Sequence, residues 1–82
     1  MIHIIDHARE RMEERLVSDE EVTFTVESGE QFPAKYGRVG FRCNFKFEAE
    51  WNGKFFSTKQ LEVYAEQEEM DWIVISLITK FF

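Results

Sequence analysis

The chain is poor in the residues that interrupt regular structure and in those that bind metals or carry redox chemistry. Its 82 residues include one proline, four glycines, one cysteine and two histidines. A lone cysteine closes no internal disulfide, so a reducing, cytoplasmic setting is expected. Cys43 stands in an apolar position, as a small buried hydrophobe rather than a catalytic thiol. His3 and His7 have a ligand-like spacing, but no Cys/His cluster completes a zinc site. No apolar run reaches the roughly 18 residues of a membrane span, and no basic region followed by an apolar stretch opens the chain. A phosphate loop, a nucleophile elbow and a dinucleotide fingerprint are all missing, so no cofactor is expected. Cations are also scarce. Ten Lys and Arg stand against sixteen Asp and Glu, and a net charge of −6 argues against broad nucleic-acid binding.

What remains is ample material for one small domain spanning residues 1–82. The chain is 44% hydrophobic and 16% aromatic, with nine Phe. That is too apolar for disorder. Its charge is uneven. Residues 31–60 carry six cations and two acids, and the rest carries four cations and fourteen acids. Such asymmetry makes either a local cationic patch or two complementary faces that meet in a dimer.

The first half reads as helical after a short β-prone run at Ile2–Ile5. Ile5, Ala8, Met12 and Leu16 form one apolar stripe of a helix from about Asp6 to Leu16. His7, Arg11 and Arg15 form a column beside it. Ser18, followed three residues later by Glu21, is a capping box, and Val17 with Val22 fits a hydrophobic staple. A second helix over 19–28 follows, although Val22, Phe24 and Val26 alternate as in a strand. Gly29 is placed to close this helix in a left-handed conformation.

The second half reads as sheet. The region around the only proline, 31–40, is a loop or a short irregular strand. In GFRCNFKFEAEW, from Gly40, Phe41, Cys43, Phe45, Phe47, Ala49 and Trp51 alternate with Arg42, Asn44, Lys46, Glu48 and Glu50, which predicts a long strand over 40–51. Asn52-Gly53 is a tight-turn signal, and a strand from Lys54 to Ala65 follows. A two-residue loop alone would turn Phe56, Thr58, Gln60, Glu62 and Tyr64 inward. A three-residue loop or one bulge instead turns Phe55, Ser57, Lys59, Leu61, Val63 and Ala65 inward, and this second register is expected at least for the distal half of the strand. Glu66–Asp71 is a polar connection. In the last strand Ile73, Ile75 and Leu77 face one way and Trp72, Val74 and Ile78 the other. Apolar residues on both faces predict a central strand whose second face is covered by another subunit. The fold class is therefore α+β, with two N-terminal helices packed on an antiparallel sheet of three to four strands.

His7-Ala8-Arg9-Glu10-Arg11-Met12-Glu13-Glu14-Arg15, the Ser18-capped segment with Val22 and Ser28-Gly29, and a last apolar strand reaching Thr79 resemble a family of small, mostly bacterial domains of unknown function. Its N-terminal pattern is H-A-x-x-R-M-x-x-R. That family is similar in layout to the RelE/ParE and BrnT-like toxins. The resemblance covers most of the chain and implies a ribonuclease fold, metal-free in its chemistry and paired with an antitoxin. The toxins are typically basic, whereas this chain is acidic and ends in Phe81-Phe82.

Two function classes follow. In a ribonuclease, His7 is the candidate catalytic base or acid. Arg11 and Arg15, with Arg42 and Lys46, are the candidate phosphate ligands, assisted by Arg38 or Lys59. In a non-catalytic interaction module, His7, Arg11 and Arg15 tie a helix to its neighbours, and the polar face of the long strand meets a second copy. Charge favours the homodimeric module, with an antitoxin-like protein or RNA as the other partner classes.

Overall fold

The computed structural model describes all residues, 1–82. In chain order it contains β1 (Ile2–Ile4), α1 (Asp6–Glu14), α2 (Asp19–Ser28), β2 (Glu30–Pro33), β3 (Val39–Trp51), β4 (Lys54–Glu68) and β5 (Asp71–Phe81). A single 3-10 turn, Lys35–Gly37, joins β2 to β3. The five strands form one sheet in the order β1-β5-β4-β3-β2. The class is α+β as expected, but the sheet is larger and mixed, because β1 pairs parallel to β5. Three- and four-residue edge strands are too short to show a convincing alternation, and β2 ends at the proline, where an edge strand tolerates it. No helix is long and apolar enough to cross a membrane.

Both helices lie on one face of the sheet. Ala8 and Met12 of α1, and Val22 and Val26 of α2, bury against Phe41, Leu61, Val63, Ala65, Val74 and Leu77. α1 is shorter than its stripe. It ends at Glu14, and Leu16 takes a left-handed φ of 57° and lies exposed. The Val17 amide then donates to the Met12 carbonyl at 2.9 Å, the six-to-one bond of a Schellman ending. Two residues later the capping box is complete. The Ser18 hydroxyl accepts from the Glu21 amide at 3.1 Å, and the Glu21 carboxylate accepts from the Ser18 amide at 3.0 Å. This local chemistry outweighs the β-like alternation of Val22, Phe24 and Val26. Gly29 does not close α2 in the left-handed region; its φ is −77°. Its role is close approach, since a Cβ there would strike the Thr25 and Arg42 carbonyls.

The β3–β4 hairpin resolves its parity problem with a bulge. Trp51 pairs with Lys54 across a two-residue turn in which Asn52 and Gly53 both have positive φ. Followed without interruption, that register would set Phe41 opposite Tyr64. Between Lys46 and Ala49 the register shifts by one, with Glu48 at φ 45°, and beyond it Phe41 faces Val63 and Cys43 faces Leu61. The side of β4 carrying Leu61, Val63 and Ala65 is thus buried, as the bulge option requires.

A second bulge corrects the expected faces of β5. Tyr64 pairs with Ser76 and Ala65 with Val74, so Ile75 is the extra residue. The alternation switches there. Val74 and Leu77 both bury under the helices, while Ile73 and Ile78 share the other face. Val74 therefore needs no partner subunit to cover it. β5 is next to the edge, and β4 is the central strand. The expected polar connection is mostly strand, because β4 continues to Glu68 and turns at Glu69-Met70.

Candidate functional site

The even-numbered residues of β3 and β4 from Gly40 to Lys46 and from Thr58 to Glu66 point away from the helices. There Arg42 is fully engaged. Its Nε donates to Glu62 Oε2 at 2.8 Å, its Nη1 donates to Glu30 Oε1 at 2.9 Å, and its guanidinium lies 4.4 Å over the Phe32 ring. The Tyr64 hydroxyl donates to the other Glu62 oxygen at 2.7 Å. Burial alone would raise the Glu62 pKa. The bonds from Tyr64 and Arg42 outweigh it and hold the carboxyl below its usual range. Burial, then the bond to Glu62, push Tyr64 up to about 12, so the phenol remains a donor. A network with this many bonds fixes the face rather than leaving it free for a phosphate.

The sequence-derived site residues do not converge. His7 is exposed and Arg11 half-buried on α1, and Arg15 is half-buried at its C-cap; none of the three makes a side-chain hydrogen bond or ion pair. Arg42 lies across the sheet from them. Lys46, also on that far face, stands 3.6 Å from Glu48, with both side chains exposed. His3 is paired with Asp71 at 3.3 Å rather than with His7. Burial raises the Cys43 thiol, which disfavours its nucleophilic form.

Lys59 is placed differently again. It is only 5% exposed, on the helix side of β4. Its Nζ donates to the Leu16 carbonyl at 2.5 Å and to Glu21 Oε1 at 2.9 Å. One ammonium thereby joins the α1–α2 turn and the capping box to the centre of the sheet. Its inward parity was the available signal.

The short edge strands leave two stretches of backbone edge open: β5 beyond Val74, because β1 pairs only with Trp72–Val74, and the outer edge of β3. β2 pairs only with Val39–Arg42, so the edge from Cys43 to Trp51 has no strand beside it. Side chains along it include the exposed Lys46, Glu48 and Glu50. Phe24 of α2, half exposed at 51%, packs edge-on against Phe45 with ring centres 6.1 Å apart. Farther out, Phe47, Trp51 and Phe56 gather around Phe81, with Trp51 stacked on it at 4.6 Å. Phe55 remains 61% exposed at the tip. The hairpin arm is thus a stiff aromatic projection with an open backbone edge. No family model, characterised protein or solved structure matches the chain.

Proposed function

We propose that the chain is a non-catalytic interaction module that pairs with a second copy of itself through the β3 edge. The observation that carries this reading is the unpaired edge from Cys43 to Trp51. An open strand edge is a template for another strand unless it is blunted. Here the bulge at Phe47-Glu48 and the charges of Lys46, Glu48 and Glu50 restrict what can add. A second copy satisfies that restriction. Antiparallel strands about a two-fold axis bring the cation of one chain to the acids of the other, as an isologous interface requires. Lys46 and Glu48 are both exposed, so exchanging their intrachain contact for one between chains costs little. Catalysis would need a base and a phosphate clamp in one cleft. His7 stands on the helix side of the sheet, and Arg42 is tied to two carboxylates on the other.

Sedimentation equilibrium at micromolar concentration is the test. A mass twice that of the chain is expected, falling toward the monomer for the Glu48→Lys, Glu50→Lys double variant, most clearly at low salt where charges are least screened. A wild-type monomer at high concentration overturns the proposal. RNA cleavage by the purified protein, lost in His7→Ala, would turn the assignment to the toxin-like ribonuclease.

A further inference from the structure

At the other end of the same open face lies a cleft that none of this uses. Its floor follows from Gly40, which β-pairs with Phe32 on one side and Tyr64 on the other. A methyl group at Gly40 would collide with the Phe32 ring. Without one, that ring lies flat across the strand and meets Tyr64 edge-on, with centres 6.1 Å apart. The 3-10 turn rises beside them and borders an open cleft of about 620 Å³ lined by Phe32, Lys35, Tyr36, Arg38, Tyr64 and Ser76. That is the size of a small-molecule pocket, with aromatic walls and few polar groups.

Two features of this cleft have no role in holding the fold. Tyr36 adopts φ 63°, ψ 31°, yet it is 86% exposed. A bulky residue in the left-handed region costs of order 1 kcal/mol, and little of this ring is buried in return. Arg38 packs its guanidinium 5.6 Å from the Tyr36 ring, and its buried Nε has no hydrogen-bond partner. Its only acid is Glu66 at 4.0 Å. Lys35, on the same turn, has no ion pair. Two acids border this site: Glu62 already accepts from Arg42 and Tyr64, and the exposed Glu66 stands at 4.0 Å from Arg38, where an anion would have to displace it. The unsatisfied groups are therefore donors and cations, and the walls are rings.

From this we infer that the cleft binds a planar aromatic ring bearing an anionic group: the ring against Tyr36 and the Phe32–Tyr64 pair, the anion on Arg38 and Lys35. A nucleoside monophosphate and an aromatic carboxylate both present that chemistry. The inference is independent of dimerisation, because the cleft lies at the opposite end of β3 from the hairpin arm.

The test is a two-dimensional NMR titration of the full chain with adenosine monophosphate and, separately, indole-3-acetate. Adenosine and indole serve as the uncharged counterparts. Saturable shifts are expected at the amides of Tyr36, Gly37, Arg38 and Ser76 with one or both anions. Affinity should fall about tenfold for the uncharged molecule and for Arg38→Gln, the loss of one charge-assisted contact. Which anion saturates first tells phosphate from carboxylate. Tyr36→Gly separates binding from folding. It should weaken binding while raising the melting temperature, since it relieves the left-handed residue; a tyrosine kept for the fold would lower it. The inference is overturned if neither anion moves these amides at millimolar concentration, if uncharged ligands bind equally well, or if Arg38→Gln and Tyr36→Gly both bind like the wild type.

Discussion

Replacing Lys59 by Met keeps the aliphatic stem and removes the ammonium that joins both helices to the sheet. Two groups then lose their donor: the Leu16 carbonyl and Glu21 Oε1. Breaking a buried ion pair from one side costs roughly 3–5 kcal/mol. Glu21 is less enclosed, with its side chain 22% exposed, and it keeps the Ser18 amide as a donor. Water recovers part of the loss, which brings the expected cost to about 2–3 kcal/mol. A domain of this length is stable by roughly 4–12 kcal/mol, so the variant should fold but unfold early. In urea, with a slope of about 1 kcal/mol per molar for so small a protein, the midpoint should fall by about 2–3 M. Because the pair is shielded from solvent, the loss should be nearly the same at low and high salt. Adding Glu21→Gln should then cost less than the two changes summed, by about 1–2 kcal/mol, since the second removes the acid left without its cation. A Lys59→Met variant within about 0.5 kcal/mol of wild type, or strictly additive changes, would refute the role assigned to this side chain.

Other outcomes can be checked as directly. Ser18→Ala should cost about 1 kcal/mol in urea unfolding by removing the acceptor for the Glu21 amide. Gly40→Ala should cost about 1–3 kcal/mol, since the Phe32 ring must leave Tyr64, and the near-ultraviolet dichroism of the aromatic pair should weaken with it. In a Tyr36→Phe background, the single remaining phenol should ionise at about 12 in a spectrophotometric titration. That pKa is raised above its unfolded value of 10.0, so the associated stability is complete below 10.0 and disappears as pH rises toward 12. A Glu62→Gln variant should lose only the part of the upward shift that the bond and charge of Glu62 supply, since burial, the larger cause, remains.

Features carried by several adjacent residues were readable from the chain. The Ser18–Glu21 box correctly predicted a helix where Val22, Phe24 and Val26 suggested a strand, because a reciprocal cap needs two residue types at a fixed spacing. The inward register of Leu61 and Val63 was also legible, although a three-residue loop or a bulge would each have produced it and nothing local marked Phe47-Glu48 as the place. The β5 bulge was not. A strand apolar on both faces gives no alternation to break, so nothing marked Ile75 as the residue out of step. β1 and β2 were marked only as a β-prone run at Ile2–Ile5 and a loop or short irregular strand in 31–40, because three and four residues carry too little of a period of two to place a strand in a sheet. The relative placement of the candidate residues was not legible. His7 and Arg11 stand one turn apart on α1, with Arg15 at its C-cap, but which side of a sheet a helix covers is a tertiary fact, and it sets Arg42 and Lys46 on the opposite side. The Phe32–Gly40–Tyr64 floor joins three strands, and no local pattern announces it.

The extra residue in β3 also sets how this protein can change length. Between Lys46 and Ala49 two residues, Phe47 and Glu48, stand opposite Ser57 alone. Losing one of them leaves every flanking pair intact, from Val39 with Ala65 to Trp51 with Lys54, and straightens the arm. A deletion anywhere else in the strand must either move the bulge or exchange inward and outward side chains over half the hairpin. Phe47-Glu48 is therefore a joint at which the arm can gain or lose a residue while the helix-covered half of the sheet remains unchanged. Related chains with hairpins of different shape would be expected to differ in length there first.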